Sequence, residues 1–234
     1  MEKEYKNITI YSEVEKKINT LNKTRNNRIA MSKRLKGYAE KWNFMFLFLN
    51  IEAVIFVLLS LGGKEVNGVF ESKSYSVFAG IFSIYVILLQ YFIAGINFNE
   101  RALKMHYHQL DIEDLILKLK ELIIKRNSSN NNSDEIQVLS DFKIIMDEYQ
   151  VLLKNNENHD PIDNERRAQD VQNSEDTDSA EQMGQREPIM KSKKTRQKEI
   201  KDFTLHNLLW YFNLIVMLLS AMAIIRYIFE GWIM

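Results

Sequence analysis

FMFLFLNIEAVIFVLLSL, residues 44–61, is a run of eighteen residues in which Glu52 is the one charged side chain. Two other runs are similar: SVFAGIFSIYVILLQYFIAGI at residues 76–96, without a charge, and LLWYFNLIVMLLSAMAIIRYI at residues 208–228, with a charge at Arg226. A helix needs about 20 predominantly apolar residues to cross a bilayer. The three runs therefore predict three transmembrane helices.

Two other interpretations of these runs are disfavoured. A soluble chain of 234 residues has nothing to surround three helices that are apolar on all sides. The first run is not a cleaved signal peptide, because 43 mostly polar residues precede it and no small-residue cleavage pattern follows it. The sequence thus predicts an all-α membrane protein, with a long cytoplasmic helical hairpin between the second and third spans.

The composition excludes several classes of function. The chain has no cysteine, which rules out a disulfide scaffold, a zinc ribbon and thiol chemistry. Its 31 basic and 31 acidic side chains cancel, so it lacks the overall positive charge of a nucleic-acid-binding domain, although a local basic patch remains compatible with that balance.

Lysine and arginine are distributed unevenly around the spans. Residues 1–43 carry eleven of them and residues 97–207 carry seventeen, whereas the 62–75 loop carries two. Basic segments beside a span tend to stay in the cytoplasm. We therefore expect a cytoplasmic amino terminus, a cytoplasmic segment between the second and third spans, and a carboxyl terminus outside.

The polar segments have helical periodicity. Apolar residues at three- and four-residue steps predict an amphipathic helix that runs into the first span. No glycine or proline interrupts residues 97–126, so we expect a helix that continues straight from the second span. That helix has two apolar faces, which predict a bundle, a coiled coil or an oligomer. One face is Ile112, Leu115, Ile116, Leu119, Leu122 and Ile123, and the other is Leu103, Leu110, Leu117 and Ile124.

A polar turn with Ser133 as a plausible N-cap precedes a second amphipathic helix, which should be antiparallel to the first. Residues from about 164 to 198 have almost no apolar content and predict a disordered tether. The expected organisation is an amphipathic helix at 1–43, a two-span hairpin at 44–96, a cytoplasmic hairpin at 97–163, a charged tether and lead-in at 164–207, and the third span with a short tail at 208–234.

The search for catalytic residues finds little. His106 and His108 are two positions apart and point away from each other on a helix, so they cannot share a metal ion. His159 lies in an ENHD turn and could act as an acid or base, but no nucleophile accompanies it at a readable spacing. The turn is equally explained as a polar end of a helix that bonds to its own backbone. We expect no enzymatic activity, no metal and no cofactor.

Polar residues inside the spans carry more information. A charge at the centre of a span costs on the order of 2.5–3.5 kcal/mol on insertion scales, so Glu52 should face other helices or water. Glu52, Asn50, Ser83, Gln90 and Asn213 either line an oligomeric pore or join helices, with Glu52 buried against Asn213. The residues expected to share one face of the second span and its continuation are Ala79, Ser83, Gln90, Ala94, Asn97 and Arg101.

Several of these features together resemble the SLATT family, bacterial two-span effectors named for their association with nucleotide second-messenger synthases and SLOG sensor proteins. The likeness covers about residues 10–165, and the third span after a charged tether is similar to the subgroup usually encoded beside reverse transcriptases. The features are Arg34-Leu35, the two close spans, Asn99-Glu100-Arg101-Ala102 with His106, Tyr107 and Leu110, and Tyr149, Leu152 and Leu153 before Glu157-Asn158-His159 and Asp163.

The resemblance implies a membrane effector of anti-phage conflict systems. Such an effector would oligomerise in the bacterial inner membrane and permeabilise it, with growth arrest or cell death as the result. The implied partners are the lipid bilayer, further copies of the chain, and, as trigger, a reverse transcriptase or its nucleic-acid product, or a nucleotide second messenger. The implied cytoplasmic functional cluster is Arg101, His106, Glu157, Asn158, His159 and Asp163. A non-conducting membrane anchor or scaffold for a cytoplasmic enzyme is the alternative.

Overall fold

The computed structural model describes residues 8–128, 135–158, 160–165, 167–168 and 204–233. It contains five long α-helices and a short helical segment at residues 161–165, and no strand occurs in the described ranges. The all-α fold is thereby confirmed. The helices are α1 (Ile10–Gly62), α2 (Lys73–Ile96), α3 (Phe98–Ser128), α4 (Glu135–Lys154) and α5 (Leu205–Ile233), with a short 3-10 turn at Gly63–Glu65 after α1.

Three of these helices are long and apolar enough to cross a membrane, and they include the three predicted spans. Their most apolar windows have mean hydropathies of 2.4 in α1, 2.2 in the run that begins with α2, and 2.2 in α5. The chain is therefore a multi-pass membrane protein. Only two prolines occur in the sequence, which is why helices of this length form without interruption.

Helix α1 ends at a pair of glycines. Gly63 has a φ of +49°, the left-handed conformation that glycine adopts without strain at the end of a helix. A Cβ on Gly62 would lie 2.9 Å from a methyl group of Val66, which would have to move to accommodate it. The turn back toward α2 is thus encoded by residues without a Cβ.

The predicted continuity between the second span and the next helix is wrong at one position. Helix α2 ends at Ile96, and Asn97 adopts the left-handed conformation, with φ 54° and ψ 43°. Asparagine tolerates this conformation better than most residues because its short polar side chain can bond locally. The shared face expected from Ala79 to Arg101 is therefore interrupted at Asn97.

The described residues form two compact units. The first unit contains α1 up to Arg34, together with α3 from Glu100, α4 and the residues that follow α4. The second unit contains α1 from Leu35, α2 and α5.

In the first unit, α1, α3 and α4 share an apolar core. The predicted inner stripe of α3 lies in this core, and Lys118 of α3 pairs with Glu148 of α4 at 2.7 Å, as expected for an antiparallel hairpin. The other predicted stripe of α3, from Leu103 to Ile124, is exposed. The core residues are Val14, Leu21, Ile112, Leu115, Ile116, Leu119, Leu122, Ile145 and Tyr149.

In the second unit, α2 packs antiparallel to α1, and α5 runs in the same direction as α1. The rings of Phe56 and Phe82 lie 4.8 Å apart, edge to face, and the hydroxyl groups of Ser60 and Ser76 are 2.8 Å apart. Trp210 donates from its indole nitrogen to the carbonyl of Lys41 at 3.2 Å. Helices α1 and α5 therefore cross a bilayer in one direction and α2 in the other.

Part of the predicted tether is structured. Residues 164, 165, 167 and 168 are helical, and Asn164 accepts a hydrogen bond from the amide of Asn27 at 2.6 Å. The ordered segment thus passes the boundary expected at 163. The predicted N-cap Ser133 and the rest of the tether, from 169 to 203, lie outside the described residues.

Candidate functional site

Two arginines of α1 are buried in the first unit, against the chain that follows α4. Arg28 is 1% exposed and Arg34 is 5% exposed. Arginine is almost never fully buried unless it is paired. These two side chains therefore mark a built polar site, which we call the arginine cluster: Arg28, Arg34, Arg101, His108, Glu157, Asp160 and Asp163.

Arg34 forms the centre of this cluster. Its guanidinium group donates to both carboxylate oxygens of Asp163, at 2.8 and 2.9 Å, and to Asp160 at 2.6 Å. Asp163 is fully buried. Burial lowers the pKa of Arg34, but the hydrogen bonds and charges of Asp163 and Asp160 outweigh it, so the pKa is raised. The result is a buried bidentate ion pair, which combines strength with fixed geometry.

A short helical segment at residues 161–165 positions the two aspartates. The carboxylate of Asp163 accepts from the backbone N–H of Asp160 at 3.0 Å, and Pro161 occupies the first helical position. This is one of the two hydrogen bonds of a capping box, with proline at the helix start. The sequence Asp160-Pro161-Ile162-Asp163 thus orients one carboxylate toward its own backbone and toward Arg34 at once.

Arg28 is less completely satisfied. It donates to the carbonyl of Glu157 and lies 3.7 Å from the sulfur of Met105. Its Nε is buried and has no hydrogen-bond partner among the described residues. Burial lowers the pKa of Arg28, although the charges of Tyr149, Glu157 and Asp163 oppose that effect.

Arg101 and Glu157 form a second bidentate pair, with both N–O distances at 3.1 Å. Each side chain is more than a third exposed, so this pair lies at the rim of the cluster. Such a pair contributes about 0–1 kcal/mol to stability. Its position makes it accessible to a partner without much change in the core.

The two histidines of α3 have opposite environments. His106 is exposed and its Nδ1 lies 2.9 Å from the amide nitrogen of Gln109. His108 is 1% exposed, and neither ring nitrogen has a hydrogen-bond partner among the described residues. Burial and the charges of Arg28 and Lys104 lower the pKa of His108 to about 4. His108 is therefore neutral at ordinary pH.

The cluster joins three segments: α1, α3 and the chain that follows α4. Among the described residues, no group of three His, Asp or Glu side chains could hold a metal ion. The carboxylates of Asp163 and Glu157 are engaged by arginines. Chemically the arrangement can hold the chain after α4 against α1 and α3, and it can release that chain if the arginines find another anionic partner.

The predicted cytoplasmic residues are partly brought together. Arg101, Glu157 and Asp163 lie in the cluster, whereas His106 and Asn158 are exposed beside it. His159 lies outside the described residues. Sequence reasoning did not place Arg28, Arg34, Asp160 or His108 in the site. The signal that could have found Asp160 is the capping pattern with proline; the burial of Arg28 and His108 has no local signal.

The predicted polar residues of the spans also divide into groups. Glu52 is buried and contacts the hydroxyl of Ser220 on α5. Asn213 is buried and accepts from the hydroxyl of Tyr85 at 2.8 Å. The alternative pairing of Glu52 with Asn213 is wrong, because α5 runs parallel to α1 and Asn213 lies about two turns before Ser220.

The other three differ in exposure and in bonding. Ser83 donates to the carbonyl of Ala79 on its own helix at 2.9 Å. Gln90 is half-buried, and Asn50 is exposed on the outer side of α1. The five residues do not share one face of the single chain.

Comparison with protein families identifies one match. Residues 10–228 match the sequence model of the SMODS and SLOG-associating 2TM effector domain, family 5. The matched range includes both units and the third span. No curated protein and no solved structure matches the chain.

Proposed function

Since the chain belongs to family 5 of the SMODS and SLOG-associating 2TM effector domains, which makes it a membrane effector of conflict systems, we propose that it defends bacteria against phage by permeabilising the inner membrane. In this proposal a trigger acts on the first unit, copies of the chain assemble, and ions cross the membrane through the assembly. Growth arrest or death of the infected cell follows.

The proposal rests on one observation: only a small share of each span is buried within the single chain. In the most apolar windows, 28% of α1, 28% of the α2 run and 6% of α5 are buried inside the single chain. Most of the surface of the spans is thus available to lipid or to other copies of the chain. In this proposal several copies form the conducting path, with polar side chains to line it.

The proposed orientation puts the amino terminus and the first unit in the cytoplasm and the carboxyl terminus outside. It rests on the excess of Lys and Arg in residues 1–43 and 97–207. The parallel direction of α1 and α5 is compatible with it, since both would then run outward.

The trigger in this proposal is an anionic ligand or partner that engages the arginine cluster. A nucleotide second messenger, or the nucleic-acid product of a reverse transcriptase encoded nearby, has the phosphate groups that bidentate arginines bind. Arg101 is the best placed for this, because it is a third exposed and its present partner, Glu157, is exposed to a similar degree.

A non-conducting anchor or scaffold is the second candidate. It is favoured by the contacts of Glu52 with Ser220 and of Asn213 with Tyr85, which join α1 and α2 to α5 within one chain. On this view the polar residues fix the packing of the helices and conduct nothing.

Membrane leakage separates the two functions. Induced cells with the complete system should lose membrane potential after the trigger, and purified protein should conduct ions in liposomes. The control is an Arg101→Gln variant, which should insert and conduct when overexpressed but should no longer respond to the trigger. Intact membrane potential in triggered cells, together with sealed liposomes, would favour the scaffold.

A further inference from the structure

Helix α1 presents two opposite faces within the first span. One face is buried in the second unit by contact with α2 and α5, and the other is exposed along its whole length. The buried residues are Met45, Leu49, Glu52, Phe56 and Leu59. The exposed residues, which we call the Asn50 face, are Leu47, Asn50, Val54, Val57 and Leu61.

Asn50 is a polar residue on a face that is otherwise apolar and exposed. At 1.5 Å per residue it lies about 9 Å inside the apolar run that starts at Phe44, too deep for its short side chain to reach the water. Its carboxamide has two N–H donors and one carbonyl acceptor. None of the described residues bonds to that side chain, and lipid tails offer no partner.

Its polar neighbours in the spans are accommodated differently. Glu52, two positions away, faces inward to Ser220, and Asn213 bonds to Tyr85. Ser83 bonds to its own helix. Of the polar span residues predicted from the sequence, Asn50 is the one that the single chain leaves exposed.

We propose that the Asn50 face is the contact between copies of this chain, with α1 packed on α1 and the Asn50 carboxamides hydrogen-bonded to each other. Copies inserted in the same orientation present Asn50 at the same depth, so a symmetric contact brings these residues together. A carboxamide is its own complement, because it both donates and accepts. The inference rests on the proposed function: that function requires copies of the chain to assemble, and the Asn50 face is the surface through which they would do so.

Cysteine cross-linking tests the contact in the membrane, since the natural chain has no cysteine. Leu47→Cys and Val54→Cys place a thiol on the Asn50 face, and Ile84→Cys on α2 and Leu219→Cys on α5 are exposed controls. Upon oxidation in native membranes, the first two should form disulfide-linked dimers and the controls should not. Equal or stronger cross-linking at Ile84 or Leu219 would overturn the proposal.

A second measurement isolates the carboxamide. Asn50→Leu should weaken self-association in detergent about tenfold, as expected for the loss of one polar contact between transmembrane helices. Asn50→Gln should retain it, and Val57→Leu on the same face should behave like the natural chain. Unchanged association of Asn50→Leu would show that the carboxamide contributes nothing.

The two measurements also distinguish this inference from the proposed function. Oligomers that form and conduct but cross-link on another face would overturn the Asn50 contact alone. A chain that remains monomeric by light scattering, with and without the trigger, and forms no cross-link at any of the four positions would overturn both.

Discussion

Arg34 donates to both carboxylate oxygens of Asp163 across 129 positions of the sequence, at 2.8 and 2.9 Å. Both side chains are almost completely shielded from water. Desolvation of two charges is expensive, so such a pair adds little net stability compared with apolar residues, but removal of Arg34 would leave the carboxylate of Asp163 buried without its ion-pair partner. We therefore expect the pair to fix which segment packs on α1.

Arg34→Met should accordingly destabilise the first unit by about 3–5 kcal/mol, because it leaves the buried carboxylate of Asp163 without its bidentate partner. Thermal unfolding followed by circular dichroism in detergent measures the effect. Glu148→Gln, which breaks the exposed pair with Lys118, is the matched control and should cost less than about 1 kcal/mol. If the double variant Arg34→Met with Asp163→Leu is less stable than Arg34→Met, the buried carboxylate is not the cause.

Acid should weaken the first unit through His108. Its pKa is about 4 in the folded chain, against 6.5 for an ordinary histidine, so the unfolded chain binds the proton first as the pH falls. The stabilising contribution is complete above pH 6.5 and is lost between pH 6.5 and 4, by about 3 kcal/mol. The stability measured over this range should become less pH-dependent in His108→Phe. If the free energy of unfolding falls with pH equally in the natural chain and in His108→Phe, His108 is not the cause of the acid sensitivity.

The break between α2 and α3 depends on the left-handed conformation of Asn97. Asn97→Gly should be neutral or slightly stabilising, whereas Asn97→Leu should cost about 1–2 kcal/mol, because leucine keeps the Cβ that crowds the following carbonyl but lacks the short polar side chain with which asparagine bonds locally. Chemical denaturation of the two variants provides the comparison. Equal stability of the glycine and leucine variants would mean that the chain can continue as a straight helix here.

Glu52 contacts Ser220 inside the single chain, so it can line a conducting path only if activation separates α1 from α5, and in that case conduction should depend on Glu52. Glu52→Gln keeps size and hydrogen bonding to Ser220 but removes the charge, so assembly should persist while ion selectivity or conductance changes. Glu52→Leu should insert well and suppress depolarisation. Ion flux in liposomes and membrane potential in induced cells measure both. If both variants form normal oligomers and conduct ions as the natural chain does, Glu52 does not line the path, and the conducting face lies instead at Ser83 and Gln90.

The orientation can be tested with single thiols in the cysteine-free chain. Ser74→Cys, which leaves the N-cap hydrogen bond of Ser72 to Tyr75 intact, should react with an impermeant reagent added to whole cells. Ser179→Cys should react only after the inner membrane is opened. Labelling of position 179 from outside would reverse the proposed topology of the cytoplasmic segment.

Sequence periodicity was sufficient for the helices and insufficient for the polar contacts. The spans and the inner stripe of α3 could be predicted because burial of apolar residues follows a local repeat. The break at Asn97 could not, since asparagine is compatible with both a helix and its end. The roles of Arg28 and His108 depend on partners such as Glu157, which is 129 positions from Arg28, and no local pattern encodes such a distance.

Within the second unit, α1 runs without a break from Leu35 to Gly62, so the number of residues between two of its positions sets the angle between their side chains, at about 100° per residue. Trp42, which is buried in this unit, and Asn50, which is exposed, are linked in this way. One residue inserted between them would turn the Asn50 face by about 100° relative to Trp42, whereas seven would restore it to within about 20°. The length of this segment, and not only its composition, therefore decides which residues of the first span face outward.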